Sequence, residues 1–281
     1  MSPIKDFVKR IPILGRVILC LHRYRLARSY LTPKWRLIRP WLFSSRETTN
    51  FTYDLEAANV DYLASFVAEI TGRTFDEAMG YVRELEGDDE LKRHVRTMTA
   101  QDVRYRRVSD PEPKFGRRAG WYAVVRATKP KVVVETGIDK GLGSVVIASA
   151  LLRNASEGHP GQYYGTDINP QAGFLFRDRY AGVGRILYGD SIESLTGLNE
   201  RIDLFVNDSD HSADYEGREY RTVEAKLSDK ALILGDNSDV TDELFRFARR
   251  TGRSFLFFQE RPKDHWYPGA GIGAAYRRAA R

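Results

Sequence analysis

Short apolar runs alternate with amphipathic segments after about residue 115, and this pattern predicts alternating strands and helices. The runs that predict buried strands lie at 132–135, 163–166, 185–188, 202–206 and 231–234. The segments that predict helices between them lie at 144–152, 172–180 and 215–227. Such a βαβ series predicts an α/β fold with right-handed crossovers and a parallel sheet. Two final runs, 254–259 and 271–277, are joined by about a dozen residues without a helical pattern, which predicts an antiparallel hairpin.

The segment before this series has a purely helical pattern. Apolar residues recur at helical spacing over 54–71, and Gly72 ends the pattern. Thr74 and Glu77 have the spacing of a capping box, which predicts a second helix to about residue 85. The proline-rich segment 110–113 then predicts a boundary. We therefore expect a helical cap at 47–112 and an α/β domain at 113–281; the cap either covers an active site or only adds stability.

Charge divides the chain into a basic leader and a mildly acidic remainder. Residues 1–46 contain eleven Lys/Arg and one acid, a charge of +10, so the remainder carries −4 of the total +6. An acidic body argues against a nucleic-acid substrate, because such enzymes place positive charge around the active face. The single cysteine, Cys20, excludes an intrachain disulfide and favours a reducing, cytoplasmic location.

The leader also contains many apolar residues. Its apolar run is interrupted by Arg16, so it is too short and too charged to span a bilayer, and it has no signal-peptide pattern. One hypothesis is that residues 1–46 lie on the anionic inner face of a membrane. The alternative is an arm that packs on the body or on a second subunit of a homo-oligomer.

Acidic clusters follow the fourth and fifth predicted strands. Asp208-Ser209-Asp210-His211 follows one, and Asp236-Asn237 follows the other. Ligands in open α/β sheets collect beyond the carboxyl ends of the strands, so both clusters face one crevice in this interpretation. Their oxygen atoms are the ligands that Mg²⁺ prefers, and His211 is a candidate proton acceptor. The simpler alternative is that each Asp caps the next helix.

A glycine-rich turn follows the first predicted strand. Its glycines are Gly137, Gly141 and Gly143, a spacing that differs from the Gly-x-Gly-x-x-Gly of dinucleotide-binding folds. Asp167 ends the second strand and is positioned to accept hydrogen bonds from ribose hydroxyls. Asp190 follows the third strand, where it is positioned to receive an adenine amino group.

Together these strand ends resemble class I S-adenosylmethionine-dependent methyltransferases, over residues 115–278. The resemblance implies a Rossmann-like seven-stranded sheet with an antiparallel last strand. It also implies that Gly137 and Gly141 line the methionine part of the cofactor, that Asp167 binds its ribose and Asp190 its adenine, and that Glu135 supports the turn.

The acidic clusters are similar to those of Mg²⁺-dependent O-methyltransferases, both the catechol and caffeoyl-coenzyme A type and the macrolide and aminocoumarin sugar type. This resemblance implies Asp208, Asp236 and Asn237 as metal ligands and His211, or else Asp210, as the base. Asn207 stands where Ile or Val is commoner, so a frame in which Asp210 binds the metal stays open.

We expect a methyltransferase that uses S-adenosylmethionine and Mg²⁺ to methylate a sugar hydroxyl of a glycan or natural product. The alternatives are a metal-independent methyltransferase of a small phenol or carboxylate, and a non-catalytic scaffold that binds S-adenosylmethionine at a membrane surface. His265, Trp266 and Tyr267 of the hairpin loop are candidates for contact with the methyl acceptor, and Trp121 and Tyr122 are weaker candidates. The alternative is that the loop only closes over the edge of the sheet.

Overall fold

The computed structural model describes residues 12–47 and 52–278, with the backbone alone described for 12–15. The chain divides into two compact units. One unit contains residues 12–45 and the loop segment Asp264–Tyr267. The other unit contains Arg46–Lys263 and, after that loop segment, residues 268–278. The predicted domain boundaries at residues 46 and 112 stay predictions.

The second unit holds the sheet and most of the helices. The helices of the described chain are α1 (Pro12–Ser44), α2 (Ala57–Thr71), α3 (Phe75–Glu86), α4 (Asp89–Gln101), α5 (Arg118–Thr128), α6 (Leu142–Ser156), α7 (Ser191–Gly197), α8 (Ala213–Glu224) and α9 (Glu243–Arg250). The strands are β1 (Val132–Thr136), β2 (Gln162–Asp167), β3 (Gly184–Tyr188), β4 (Ile202–Asn207), β5 (Leu227–Asp236), β6 (Ser254–Gln259) and β7 (Gly271–Tyr276). All seven strands were predicted, and their ends differ from the predicted ones by a few residues.

The seven strands form one sheet in the order β3-β2-β1-β4-β5-β7-β6. Strands β1 to β5 pair in parallel, and β7 runs antiparallel to both β5 and β6. The order reverses at β1, where the next strands are added on its other side, and this is the position at which open α/β sheets bind ligands. The predicted α/β class with an antiparallel last strand is confirmed.

Helices cover both faces of the sheet. On one face, Phe205 and Ile233 of the central strands pack with Tyr220 of α8 and Phe247 of α9. The intervening strand residues point to the other face, since side chains alternate along a strand. Both faces of the central strands are thus buried, which explains why these strands read as continuous apolar runs.

The helices α2 and α3 pack on the sheet domain through α5, and a buried arginine joins them. Arg126 of α5 is 4% exposed, and it pairs with Glu84 of α3 (2.7 Å) and with Glu157 after α6 (2.5 Å). The hydroxyl of Tyr122 also donates to Glu84, at 2.5 Å. A buried arginine is tolerated only when carboxylates neutralise it, so these contacts fix α3 against α5 and α6.

One segment differs from its prediction, and one helix was not predicted. Residues 172–180 form turns and a 3-10 helix (Asp178–Val183) instead of a helix, because Gly173 adopts a φ of +76° and Asp178 a φ of +51°. Their aromatic residues, which suggested a helix, are buried in turns instead. The charged stretch after Gly87 forms α4, whose narrow buried face contains Leu91, Val95 and Thr99 at four-residue spacing.

The basic leader contains the long helix α1, with Pro33 and Pro40 inside it. Trp41 packs edge-on against His265 and Trp266, with ring centroids 6.2 and 5.3 Å apart. Among the described residues, no helix combines the length and the apolar character that crossing a bilayer requires.

The capping box that begins α3 is present as predicted and gives a test of local stability. Thr74 Oγ1 accepts from Glu77 N (3.2 Å), and Glu77 Oε2 accepts from Thr74 N (2.9 Å). We expect Thr74→Ala to lower the free energy of unfolding by about 1 kcal/mol, because Glu77 N then loses its acceptor. Urea denaturation measures this. Thr97→Ala, at an exposed threonine inside α4, is the control, and an equal loss in both variants would contradict the capping role.

Candidate active site

The site is built where β1, β4 and β5 end side by side. Thr136, Asn207 and Gly235 occupy matching register positions on these strands. The residues that follow them are Gly137, Asp208 and Asp236, so all three meet at the carboxyl edge of the sheet. A cavity of about 370 Å³ opens over this edge. It is lined by the glycine-rich turn, the acidic clusters and the segments before α5, including Glu135, Gly137, Asp208, His211, Asp236 and Asn237.

Gly137 is required by the approach of the β1 turn to the β4 loop. Its φ is +77°, and a Cβ atom there would lie 2.0 Å from the carbonyl oxygen of Asp208. Gly143 is similarly close to Glu135, since its Cβ would lie 2.3 Å from Glu135 Oε1. These glycines therefore serve the packing of the protein itself.

Glu135 lies beside the glycine-rich turn. It is buried, and its Oε2 accepts from Ser144 Oγ (3.0 Å) in the first turn of α6 and from the hydroxyl of Tyr163. Burial raises the pKa of Glu135 to about 7. The role of Glu135 in supporting the turn stays a prediction.

The two aspartates predicted to bind the nucleoside make local contacts. Asp167 accepts from Asp139 N (2.9 Å) and Asn169 N (2.8 Å), and so joins the glycine-rich turn to the end of β2. Asp190 caps α7, and its second oxygen accepts from Tyr215 (3.2 Å). Neither lines the cavity described above. Their contacts with ribose and adenine stay predictions.

The acidic clusters meet as predicted. Asp208, His211 and Asp236 each place one ligand atom within 4.8 Å of the others. His211 Nε2 lies 3.8 Å from Asp208 Oδ1 and 3.0 Å from Asn237 Nδ2. Asp210 lies outside this group: it is exposed and accepts from Ser212 N at 2.9 Å. The fold thus brings Asp208, and not Asp210, to the residues that follow β5.

An arginine that the sequence interpretation missed pairs with this cluster. The guanidinium of Arg117 donates to both carboxylate oxygens of Asp236, to Tyr53 (3.0 Å) and to Glu260 Oε1 (3.0 Å). Although burial acts to raise it, the Arg117 charge holds the pKa of Asp236 below its usual value. Burial and the charge of Asp236 raise the pKa of Asp208 well above its usual value. The two carboxylates are therefore unequal.

The donor atoms fit a hard divalent cation. Asp208 and Asp236 offer carboxylate oxygens, and Asn237 Oδ1 is buried without a hydrogen-bond partner in the described structure. Asn237 adopts a φ of +50°, a conformation that asparagine tolerates better than most residues. An unpartnered buried carbonyl oxygen beside a carboxylate pair is the arrangement that an oxygen-ligated cation satisfies.

A buried glutamate holds the loop that carries these residues. Glu219 of α8 accepts from Asn207 at the end of β4, from Ser209 Oγ (2.8 Å), from Thr136 Oγ1 (3.3 Å) and from Ser191. The side-chain amide of Asn207 donates to Glu219, which explains why an asparagine stands where Ile or Val is commoner. The sequence signal was Glu216 and Glu219 on the same helix face as buried residues of α8, where apolar residues are expected.

The candidate acceptor residues of the hairpin loop belong to the unit that contains α1. Tyr267 N donates to His265 Nδ1 (3.0 Å), and Lys34 Nζ donates to the carbonyl of Tyr267 (3.4 Å). Their contact with an acceptor stays a prediction. Trp121 and Tyr122 are fully buried in α5, so they belong to the core and do not contact an acceptor.

Comparison with known proteins agrees with the fold. Residues 134–238 match a family model described as a methyltransferase domain. This match covers β1 to the residues just after β5, and the strand order with an antiparallel β7 is the one expected of that class. The match and the strand order together identify residues 134–238 as a methyltransferase domain. The predicted class and enzyme type are confirmed.

The solved structures found are distant from this methyltransferase. The O-methyltransferase TomG of Streptomyces achromogenes, in complex with S-adenosylmethionine, is 16% identical over 68% of this chain and 91% of its own, with a TM-score of 0.48. The product-bound methyltransferase PaMTH1 of Podospora anserina is 13% identical over 82% and 100%, with a TM-score of 0.48. An O-methyltransferase of Bacillus cereus is 14% identical over 77% and 97%, with a TM-score of 0.44. No curated protein matches, and likenesses this distant carry no argument about substrate or metal.

The burial of Glu219 predicts how the free energy of unfolding depends on pH. Burial raises the pKa of Glu219 to about 7, above the usual value of 4.5 for a glutamate. The folded state thus binds this proton more tightly than the unfolded state does. Protonated Glu219 therefore makes its full contribution to the free energy of unfolding below about pH 4.5, and this contribution is lost as the pH rises through about 7. The free energy of unfolding of the unmodified protein should fall by up to about 3 kcal/mol over this pH range because of Glu219, and we expect Glu219→Gln to lack this fall.

Urea denaturation at several pH values between these limits measures the effect. The glutamine side chain in this variant can donate to Ser191 and accept from Asn207, so the size and most contacts remain. Glu193→Gln, at an exposed glutamate of α7, is the control. A pH dependence unchanged by Glu219→Gln would show that Glu219 does not titrate in this range.

Proposed function

We propose that this methyltransferase transfers the methyl group of S-adenosylmethionine to a hydroxyl oxygen, with the help of a divalent cation, and that the acceptor is a sugar of a glycan or natural product. The observation that supports this most is the group of Asp208, His211, Asp236 and Asn237 at one cavity. It combines three oxygen donors with a ring nitrogen that can accept a proton.

The residues suit a direct displacement at the methyl carbon. The acceptor oxygen forms a bond to the methyl carbon while the carbon–sulfur bond breaks, and the bond's electron pair goes to sulfur. The sulfonium cofactor supplies both the methyl group and a neutral thioether leaving group. In this proposal Asp208, Asp236 and Asn237 hold the cation. Bound there, it lowers the pKa of a coordinated hydroxyl, which is otherwise far above neutrality.

His211 takes the proton of the acceptor hydroxyl in this proposal. Its Nε2 is the ring atom that faces Asp208 Oδ1, at 3.8 Å, and the amide of Asn237, at 3.0 Å. Protonation at Nε2 ends its role as acceptor for Asn237, and the new imidazolium charge faces the carboxylate of Asp208. The Asn237 amide thus orients the ring before the transfer, and Asp208 stabilises it afterwards.

The Arg117–Asp236 pair supports one alternative. The guanidinium neutralises part of the acidic cluster without a metal, as a metal-independent methyltransferase of a phenol or carboxylate would require. The chemistry of the product separates the alternatives. A methylated sugar hydroxyl is an ether that survives alkali and yields a methyl sugar after acid methanolysis. A methyl ester releases methanol in alkali, and a phenol ether yields no methyl sugar.

The metal requirement gives the first test. We expect chelation by EDTA to abolish transfer of labelled methyl groups from S-adenosylmethionine to a cell extract, and added Mg²⁺ to restore it. Asp208→Asn should lose this restoration and weaken binding of Mn²⁺, measured by electron paramagnetic resonance, because it loses a carboxylate donor.

Two further variants make this test specific. Asp214→Asn, at an exposed residue of α8, is the matched control and should bind Mn²⁺ like the unmodified protein. Asp210→Asn distinguishes the two candidate frames. Weaker binding in Asp210→Asn than in Asp208→Asn would assign the cation to Asp210, and full activity after EDTA would refute the cation altogether.

The base gives the second test. We expect His211→Gln to lower kcat by about 10² to 10⁴-fold, because the hydroxyl proton then has no acceptor. Binding of S-adenosylmethionine, measured by calorimetry, should be unchanged. His159→Gln, at an exposed histidine, is the control. If kcat of His211→Gln stays within a few-fold of the control, His211 is not the base.

A further inference from the structure

Helix α1 exposes more large apolar side chains than any other element of the described structure. Of the 17 exposed large apolar side chains in the described residues, ten lie on this one helix. The most exposed are Phe43 (86%), Tyr30 (76%) and Trp35 (68%). Single exposed apolar residues are normal, but a concentration of this kind marks an interaction surface.

The charge of α1 limits what can bind there. The helix contains seven basic residues and no acid: Arg16, Arg23, Arg25, Arg28, Lys34, Arg36 and Arg39. Within the described residues of its unit, Asp264 is the single acid. A surface that is both apolar and uniformly basic fits a partner that is apolar and anionic.

The apolar and basic residues are arranged along the helix in a particular way. Val17, Tyr24, Leu31, Trp35 and Leu42 recur at intervals of seven or four residues, which places five of the ten exposed apolar side chains on one stripe of the helix. Leu19, Leu26 and Tyr30 lie on the opposite face. The same helical geometry places basic residues on both flanks of the stripe. Arg23 and Lys34 lie on one flank, and Arg28 and Arg39 lie on the other. Long basic side chains beside an apolar stripe can reach the headgroups while the stripe enters the lipid boundary.

We propose that α1 lies on the surface of an anionic lipid bilayer, with this stripe at the boundary between headgroups and acyl chains. The proposal is independent of the acceptor and of the metal. Pairing of α1 with the α1 of a second copy is less favourable, because it would bring all their cations together without a carboxylate to balance them. No helix in the described part of the chain is suited to crossing the bilayer, so contact is at the surface.

The test uses the full chain and lipid vesicles. We expect binding to vesicles of phosphatidylcholine with phosphatidylglycerol, little binding to phosphatidylcholine alone, and weaker binding as the salt concentration rises. Replacing Arg23, Arg25 and Arg28 by Gln should lower the vesicle partition coefficient roughly fivefold per residue. Replacing Arg221, Lys230 and Arg249 by Gln changes the net charge equally on exposed sites of the methyltransferase domain, and should leave binding nearly unchanged.

A spectroscopic readout tests the apolar stripe itself. Trp35 fluorescence should shift to the blue when anionic vesicles are added, and Trp35→Phe should remove most of that shift while retaining binding. Equal loss of binding in the two triple variants, or no shift from Trp35, would overturn the proposal. So would dimerisation through α1 without lipid, or binding to duplex DNA as tight as binding to the vesicles.

Discussion

The close approach of the ends of β1, β4 and β5 is the constraint on which the site depends. The turn after β1 lies against the backbone of Asp208 so tightly that position 137 has room only for glycine. The same register places Asp208 beside Asp236. Packing of the backbone therefore brings two carboxylates together, and the surrounding residues must compensate for their repulsion.

Compensation comes from buried partners distributed over several elements. Arg117, at the start of α5, pairs with Asp236, while Glu219 of α8 holds Asn207 and Ser209 on either side of Asp208. A loop fixed on both sides cannot relax away from Asp236. The positions of the acidic residues are thus set by a network whose members lie far apart in the sequence.

This distribution explains how much the sequence could predict. Strand ends follow from local apolar runs, and in a parallel sheet the residues after those ends share one edge, so Asp208, Asp236 and Asn237 could be grouped without coordinates. Arg117 could not, because its partners lie 64 to 143 residues away in the sequence and no local pattern marks it. The position of Glu219 shows only that a charged residue lies on the buried face of α8, and its partners, 10 to 83 residues away, cannot be read from that position. The segment 172–180 was misinterpreted for a related reason, since two residues with positive φ break its helical pattern and nothing in the apolar spacing shows this.

In the proposed mechanism, Arg117 and the cation have different roles at the cluster. Its guanidinium faces two carboxylates, Asp236 and Glu260, so it neutralises Asp236 only in part. Within the described residues Asp208 pairs with no arginine or lysine, and burial together with the charge of Asp236 raises the pKa of its carboxyl well above the usual value. Each oxygen of Asp236 uses one lone pair for Arg117, the Asp236 carboxylate also contacts the carboxyl of Asp208, and Asn237 Oδ1 accepts no hydrogen bond within the described residues. The arginine therefore orients Asp236 and leaves Asn237 Oδ1 and Asp208 available as oxygen donors, as the proposed cation-assisted mechanism requires.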